Sequence, residues 1–172
     1  MKFINKGLTI KKLENNKFFK KYIPKFFLIN KIDYYKKKDN FLKLIDRTFD
    51  NQIIIRSSSN IEDQNNSSMA GKFNSYLNIN SYDKNQIDSC IEKIFKSYSY
   101  YKTHGSIIIQ EMINNSKISG VLTTAVIANM NPNYFEINYS TGIKTDIVTS
   151  GKKGIKNLIF YKDYFLPNKY NI

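Results

Sequence analysis

Between Asp83 and Tyr101 apolar side chains return every third or fourth position: Ile87, Cys90, Ile91, Ile94, Phe95, Tyr98 and Tyr101. That spacing lines one side of a helix, and Asp83 is placed to cap its first turn. A second stripe, at positions 34, 35, 41, 42, 44, 45 and 49, predicts a helix over Tyr34–Phe49, with Lys36–Lys38 on its solvated face. Apolar positions 8, 10 and 13 predict a turn entering a helix near Lys6–Leu13. Pro24 interrupts the pattern, and Lys25–Ile29 is a short apolar run of strand type. Gln52–Ile55 and the β-branched run Ser106–Ile113 read as buried strands. Lys117–Ala128, with Gly120 inside it, is a further strand candidate, and both Tyr134–Tyr139 and Lys144–Thr149 alternate. Helices and strands follow one another without regular βαβ alternation. The expected class is therefore α+β, with a mixed or antiparallel sheet and flanking helices, and not a doubly wound sheet. There is no internal repeat.

Composition adjusts this picture little. A chain of 172 residues can bury a real core as one domain or two small lobes. The net charge is +13, yet of 27 basic residues only Arg47 and Arg56 are arginine, and the lysines are scattered among Asn and Ile. A dedicated nucleic-acid binder clusters Arg and Lys with aromatics on one face, so no specific nucleic-acid partner is expected, only a weak affinity for polyanions. Cys90 is the single cysteine, which excludes an intrachain disulfide and a Cys-based metal site and makes core packing its expected role. No leader-like or membrane-length apolar run is present, so a cytoplasmic location and no membrane contact are expected.

The candidate chemistry gathers in Arg56–Gly71, RSSSNIEDQNNSSMAG. A strand ends in a cation and runs into small hydroxyl-bearing residues. A guanidinium offers a planar fork of N–H donors, and such a loop adds backbone N–H groups and hydroxyls, a combination suited to an anion such as a triphosphate. No GxxxxGK[ST] occurs, so this is not a Walker loop. Where lysine is the default cation, an arginine at a strand end points to its fork geometry. Pairing of Arg56 with Glu62 or Asp63 would pin the loop, and the two roles are compatible. At an effective dielectric near 20, one cation about 4 Å from a phosphate charge gains roughly 4 kcal/mol before desolvation.

The order of these residues resembles the N-terminal nucleotide-binding region of pyruvate phosphate dikinase and phosphoenolpyruvate synthase, an ATP-grasp-like fold. That family carries a strand, R-S-S/G, an E-D pair, S-x-A-G and a β-segment, here Lys72–Ile79. KGLTIKKL, from Lys6 to Leu13, resembles its N-terminal K-G-x-x-L-x-x-L. Ile107–Ile113 resembles its strand into the adenine hinge, and Ile118–Thr124 its S-G-V-x-x-T strand beneath the nucleotide. The resemblance implies ATP as ligand. It implies phosphate contacts from Lys6 and Arg56, with Arg56 the catalytic cation, and a lid from Ser67, Ser68, Ala70 and Gly71. It places adenine near Gln110, Met112 and Ile113, and Thr123 beneath the nucleotide. On this reading residues 1–80 form a phosphate-binding lobe, and residues 81–172 supply a helix and the adenine-hinge strands.

Tyr134–Tyr139 followed by Thr145-Asp146-Ile147-Val148-Thr149-Ser150-Gly151 is similar to the bacterial L-glutamine kinase group. The resemblance implies L-glutamine or pyruvate as phosphoryl acceptor and splitting of ATP to AMP and phosphate in the full-length enzyme. Dikinases relay the phosphoryl group through a histidine on a separate domain. His104 lies in a turn and reads as a surface residue, so such a domain is expected as a separately encoded partner. The family's acidic metal ligands normally follow the region matched here. No metal ligand is assigned, Mg²⁺ is expected only with a further C-terminal segment, and the domain is expected to be incomplete at its C-terminus. Two other readings follow: a noncatalytic or regulatory nucleotide-binding module, and a basic nucleic-acid-binding protein.

Overall fold

The computed structural model describes residues 5–59, 73–141 and 155–164. The chain divides into two compact units, residues 1–112 and 113–172. Each is α+β or β in character, and among the described residues every strand pairing is antiparallel, as the sequence pattern anticipates for the class.

In the first unit the order is α1 (Lys6–Glu14), a 3₁₀ turn (Lys20–Tyr22), β1 (Phe26–Asn30), α2 (Lys31–Lys36), α3 (Lys38–Thr48), β2 (Gln52–Ser59), β3 (Ser75–Asn80), α4 (Lys84–Tyr100) and β4 (Gly105–Glu111). The sheet order is β1-β4-β2-β3. One face is the core. Ile53 and Ile55 of β2, with Ile107 and Ile109 of β4, pack against Ile87, Ile91, Ile94 and Phe95 of α4 and against Ile45 of α3. Cys90 is buried in the same cluster. Asp83 caps α4, its side chain accepting from the Gln86 N–H at 2.9 Å.

Two local expectations give way. The helix expected over Tyr34–Phe49 is two helices, broken at Lys37, whose backbone (φ −136°, ψ 33°) leaves the helical region. The break lets Tyr34, on α2, and Leu42 and Ile45, on α3, all reach the core. The strand expected to stop at Ile55 continues to Ser59, and Ser57, Ser58 and Ser59 are buried strand residues rather than the start of a loop. Their hydroxyl and backbone groups are satisfied inside: Ser59 Oγ lies 2.9 Å from Thr103 Oγ1, and the Ser58 N–H donates to Tyr98 Oη at 2.7 Å. Serine marks a loop only where water completes its hydrogen bonds.

Tyr34 is fully buried, and its hydroxyl donates to Asp88 of α4 at 2.7 Å; Lys38 pairs with the same carboxylate at 2.7 Å. Burial opposes the Asp88 charge, but the bonds from Lys38 and Tyr34 outweigh it and hold the carboxyl below its ordinary value. A carboxyl lowered in the folded state stabilises fully above its unfolded value, about 3.9, and loses that contribution as pH falls through the folded value. Urea unfolding at about pH 5 and about pH 3 should therefore show a larger acid loss for the wild type than for Asp88→Asn. Equal losses would show that Asp88 is not coupled to folding.

Among the described residues the second unit is a three-stranded sheet, β5 (Ile118–Thr123), β6 (Tyr134–Thr141) and β7 (Lys156–Tyr161), in the order β5-β6-β7. The strand expected over Lys117–Ala128 is shorter than anticipated, and a bridge from Val126 to Asn131 ties the turn after it. Lys144–Thr149 lies outside the described residues. Alternation puts Leu122, Ile137 and Leu158 on one face and Thr123, Glu136, Asn138 and Asn157 on the other.

Candidate functional site

The face of the first sheet opposite the core carries the candidate residues. Register and alternation set Ile54, Arg56 and Ser58 of β2 beside Gln110, Ile108 and Ser106 of β4, and these beside Phe26, Leu28 and Asn30 of β1. Helix α1 begins on this face. The Gly7 N–H donates to Ser58 Oγ at 2.8 Å, and a Cβ on Gly7 would lie 2.8 Å from Leu28 Cδ2 and 3.1 Å from Ser106 Oγ. An added methyl would have to push these side-chain ends aside, so glycine eases the close approach of the helix. Asn5 caps the same turn by accepting from the Leu8 N–H at 3.0 Å.

Two sequence-named cations are each close in the chain to the Gly7–Ser58 contact. Lys6 precedes Gly7 at the start of α1, and Arg56 lies two residues before Ser58, about 7 Å along the strand. Arg56 sits inside β2, between Ile108 of β4 and Ser75 of β3, and is half-buried. Among the described residues its side chain has no hydrogen-bond or ion-pair partner. Gln110 shares the face, diagonal to Arg56 on the neighbouring strand, about 7–8 Å away by sheet geometry. Glu62, Asp63, Ser67, Ser68, Ala70 and Gly71 lie outside the described residues.

The residues after β4 divide differently. The Met112 N–H is used within the sheet, donating to the Gln52 carbonyl at 3.0 Å, and that of Glu111 donates to Lys25. A backbone donor for a ligand in this stretch would come from Ile113, which is exposed. Met112 ends the first unit and Ile113 begins the second.

A model of the pyruvate phosphate dikinase AMP/ATP-binding domain matches residues 34–154. The chain belongs to this family. No curated protein matches it. The dikinase-domain match covers β2, α4, β4, β5 and β6, and so includes Arg56, Gln110, Met112, Ile113 and Thr123, while Lys6 and α1 precede it. Membership makes this an ATP-binding, kinase-related domain. Among the described residues no helix is long and apolar enough to cross a membrane.

Within the dikinase-family domain, Thr123 stands on the polar face of the second unit. Its hydroxyl lies 2.9 Å from the Ala125 carbonyl and 3.2 Å from that of Glu136. Sequence reasoning passed over its neighbours. Glu136 accepts from the Ile127 N–H at 2.9 Å and from Asn157 at 2.8 Å, and these bonds hold its carboxyl below the usual carboxylate range. Asn157 also donates to Asn138 at 2.9 Å. The signal was present as the alternation of Glu136 and Asn138 in β6. Its partner Asn157 lies on a strand with no clear apolar period.

His104 is exposed, as expected, and borders a cavity of about 780 Å³ lined also by Lys31, Asp33, Tyr98 and Lys102. Asp33 there is hydrogen-bonded by Asn30, and Lys31 donates to Ser99 at 3.1 Å. Lysines at its rim are what a chain of this composition places on most surfaces, and they assign it no ligand.

Proposed function

We propose that this domain holds the phosphates of ATP with Lys6 and Arg56, and that it serves a phosphotransferase splitting ATP to AMP and phosphate with L-glutamine, or failing that pyruvate, as acceptor. The observation that carries the reading is Arg56. A guanidinium inside a central strand, half-buried and without a partner among the described residues, is costly unless an anion completes it. Family membership names the anion class, and the start of α1, bonded to Ser58 on the same face, supports Lys6 as a second cation. The strand supplies a rigid base for the fork, which suits a phosphate better than a flexible lysine would.

In this reading Ser67, Ser68, Ala70 and Gly71, outside the described residues, contribute phosphate contacts, Gln110, Met112 and Ile113 contribute to adenine binding, and Thr123 contributes to nucleotide binding. The preference for glutamine rests on the TDIVTSG segment. Among the described residues no three His, Cys, Asp or Glu side chains stand together to hold a divalent cation. Neutralising phosphate charge with the described residues therefore falls to Lys6 and Arg56.

Calorimetric titration of the folded chain with ATP should give saturable one-to-one binding, competed by AMP. Assays for AMP formation, in the complete enzyme carrying this domain, should show stimulation by L-glutamine and less by pyruvate. A folded chain that shows no saturable ATP binding would overturn the reading. AMP formation driven by pyruvate alone would overturn the choice of acceptor.

A further inference from the structure

We propose that Ser58 is a positioning residue of the nucleotide face: its hydroxyl fixes the first turn of α1, and so Lys6, against the sheet beside Arg56. The inference rests on the reading that Lys6 and Arg56 hold ATP phosphates.

Helix α1 buries little of itself against the sheet. It is nine residues long, too short to be stable alone, and Gly7 is its one buried residue. Leu8 and Leu13 are exposed and Ile10 is half-buried, so no large apolar side chain of α1 is fully buried. The Asn5 cap stabilises the turn. A buried bond from the Gly7 N–H to Ser58 Oγ, 2.8 Å long and joining residues 51 apart in sequence, ties the helix start to β2. The Gly7 N–H lies in the first turn, where no intrahelical carbonyl is available, so an outside acceptor is required.

The acceptor is itself held from behind. Ser58 is fully buried, and its N–H donates to Tyr98 Oη at 2.7 Å, while that hydroxyl donates to the Ser106 carbonyl at 2.8 Å. Ser106 also meets the position of a Gly7 Cβ from the β4 side. One serine thus connects α1 to a strand that α4 and β4 hold in place. Arg56 lies on that strand, so both cations are referred to one rigid element. Ordering Lys6 before the nucleotide arrives removes that cost from binding.

The test is a double-mutant cycle read by ATP titration on the full chain, using wild type, Ser58→Ala, Lys6→Ala and the pair, each checked by thermal unfolding. Ser58→Cys, near in size but a weak acceptor, is carried beside Ser58→Ala should the alanine variant fold poorly. Removing the acceptor should weaken ATP binding about tenfold when Lys6 is present, and less than about twofold when Lys6 is alanine. A role confined to stability would cost the same in both backgrounds. Equal losses in both backgrounds, or none in either, would overturn the proposal while leaving ATP binding intact. Absence of ATP binding by the folded wild type would instead overturn the underlying reading, and this inference with it.

Discussion

Arg56→Ala should weaken ATP binding roughly 100-fold, and Arg47→Ala by less than about twofold. Hydrogen bonds to charged groups contribute roughly 1.5–3 kcal/mol each, and a forked contact supplies two. Losing about 2.7 kcal/mol corresponds to about 100-fold in affinity. Arg47 provides the comparison because it carries the same charge on the exposed side of α3, a helix whose Leu42 and Ile45 pack into the core on the other face of the sheet. A purely long-range charge effect would make the two losses similar. Arg56→Lys should recover part of the affinity, to within about tenfold of wild type, because it keeps the charge and loses the fork. Titration calorimetry at fixed ionic strength distinguishes these outcomes. Equal losses from Arg56→Ala and Arg47→Ala would remove Arg56 from the phosphate site.

The core was legible because its signal is periodic. The stripe from Ile87 to Tyr98 is the buried side of α4, and Ile107 and Ile109 take their places beneath it. What periodicity could not convey was the break at Lys37, since both halves of that stripe face the same core. The edge strand β7 escaped because its residues are exposed or half-buried on both faces, which leaves no alternation to find. For the candidate site, residue type carried more than pattern. Arg56 stood out as one of two arginines, and Gln110 shares its face. Ser57–Ser59 were misread because serine's turn preference outweighed their continuity with Ile53 and Ile55. Ser57 and Ser59 in fact continue the buried phase of that strand. The anchoring of Gly7 on Ser58 was beyond any local reading, because it joins a helix start to a strand across half a domain.

Gly105→Ala should destabilise the fold by about 2–3 kcal/mol, the cost of forcing an added methyl into a closely packed site. A Cβ at Gly105 would lie 2.5 Å from the Ser58 carbonyl oxygen, 2.9 Å from Ser59 Cα and 3.1 Å from the Ser58 carbonyl carbon. All three are backbone atoms of the paired strand, so no side chain can rotate aside, and β2 and β4 must part at this end. Gly7→Ala meets the ends of the Leu28, Ser106 and Ser58 side chains instead, which can yield in part, and should cost about 1 kcal/mol in stability. Reversible urea unfolding ranks the two. For a chain of this size the Gly105 variant should melt roughly 5–10 °C below wild type. The displaced atoms belong to Ser58 and Ser59, and Ser58 carries the bonds to Gly7 and to Tyr98. The Gly105 variant should therefore bind ATP more weakly even at temperatures where it remains folded, and that extra loss should shrink when Lys6 is alanine. A Gly105→Ala protein within about 0.5 kcal/mol of wild type would mean that the two strands can separate freely here. The end of β2 could not then be the rigid base on which Arg56 and the start of α1 are aligned.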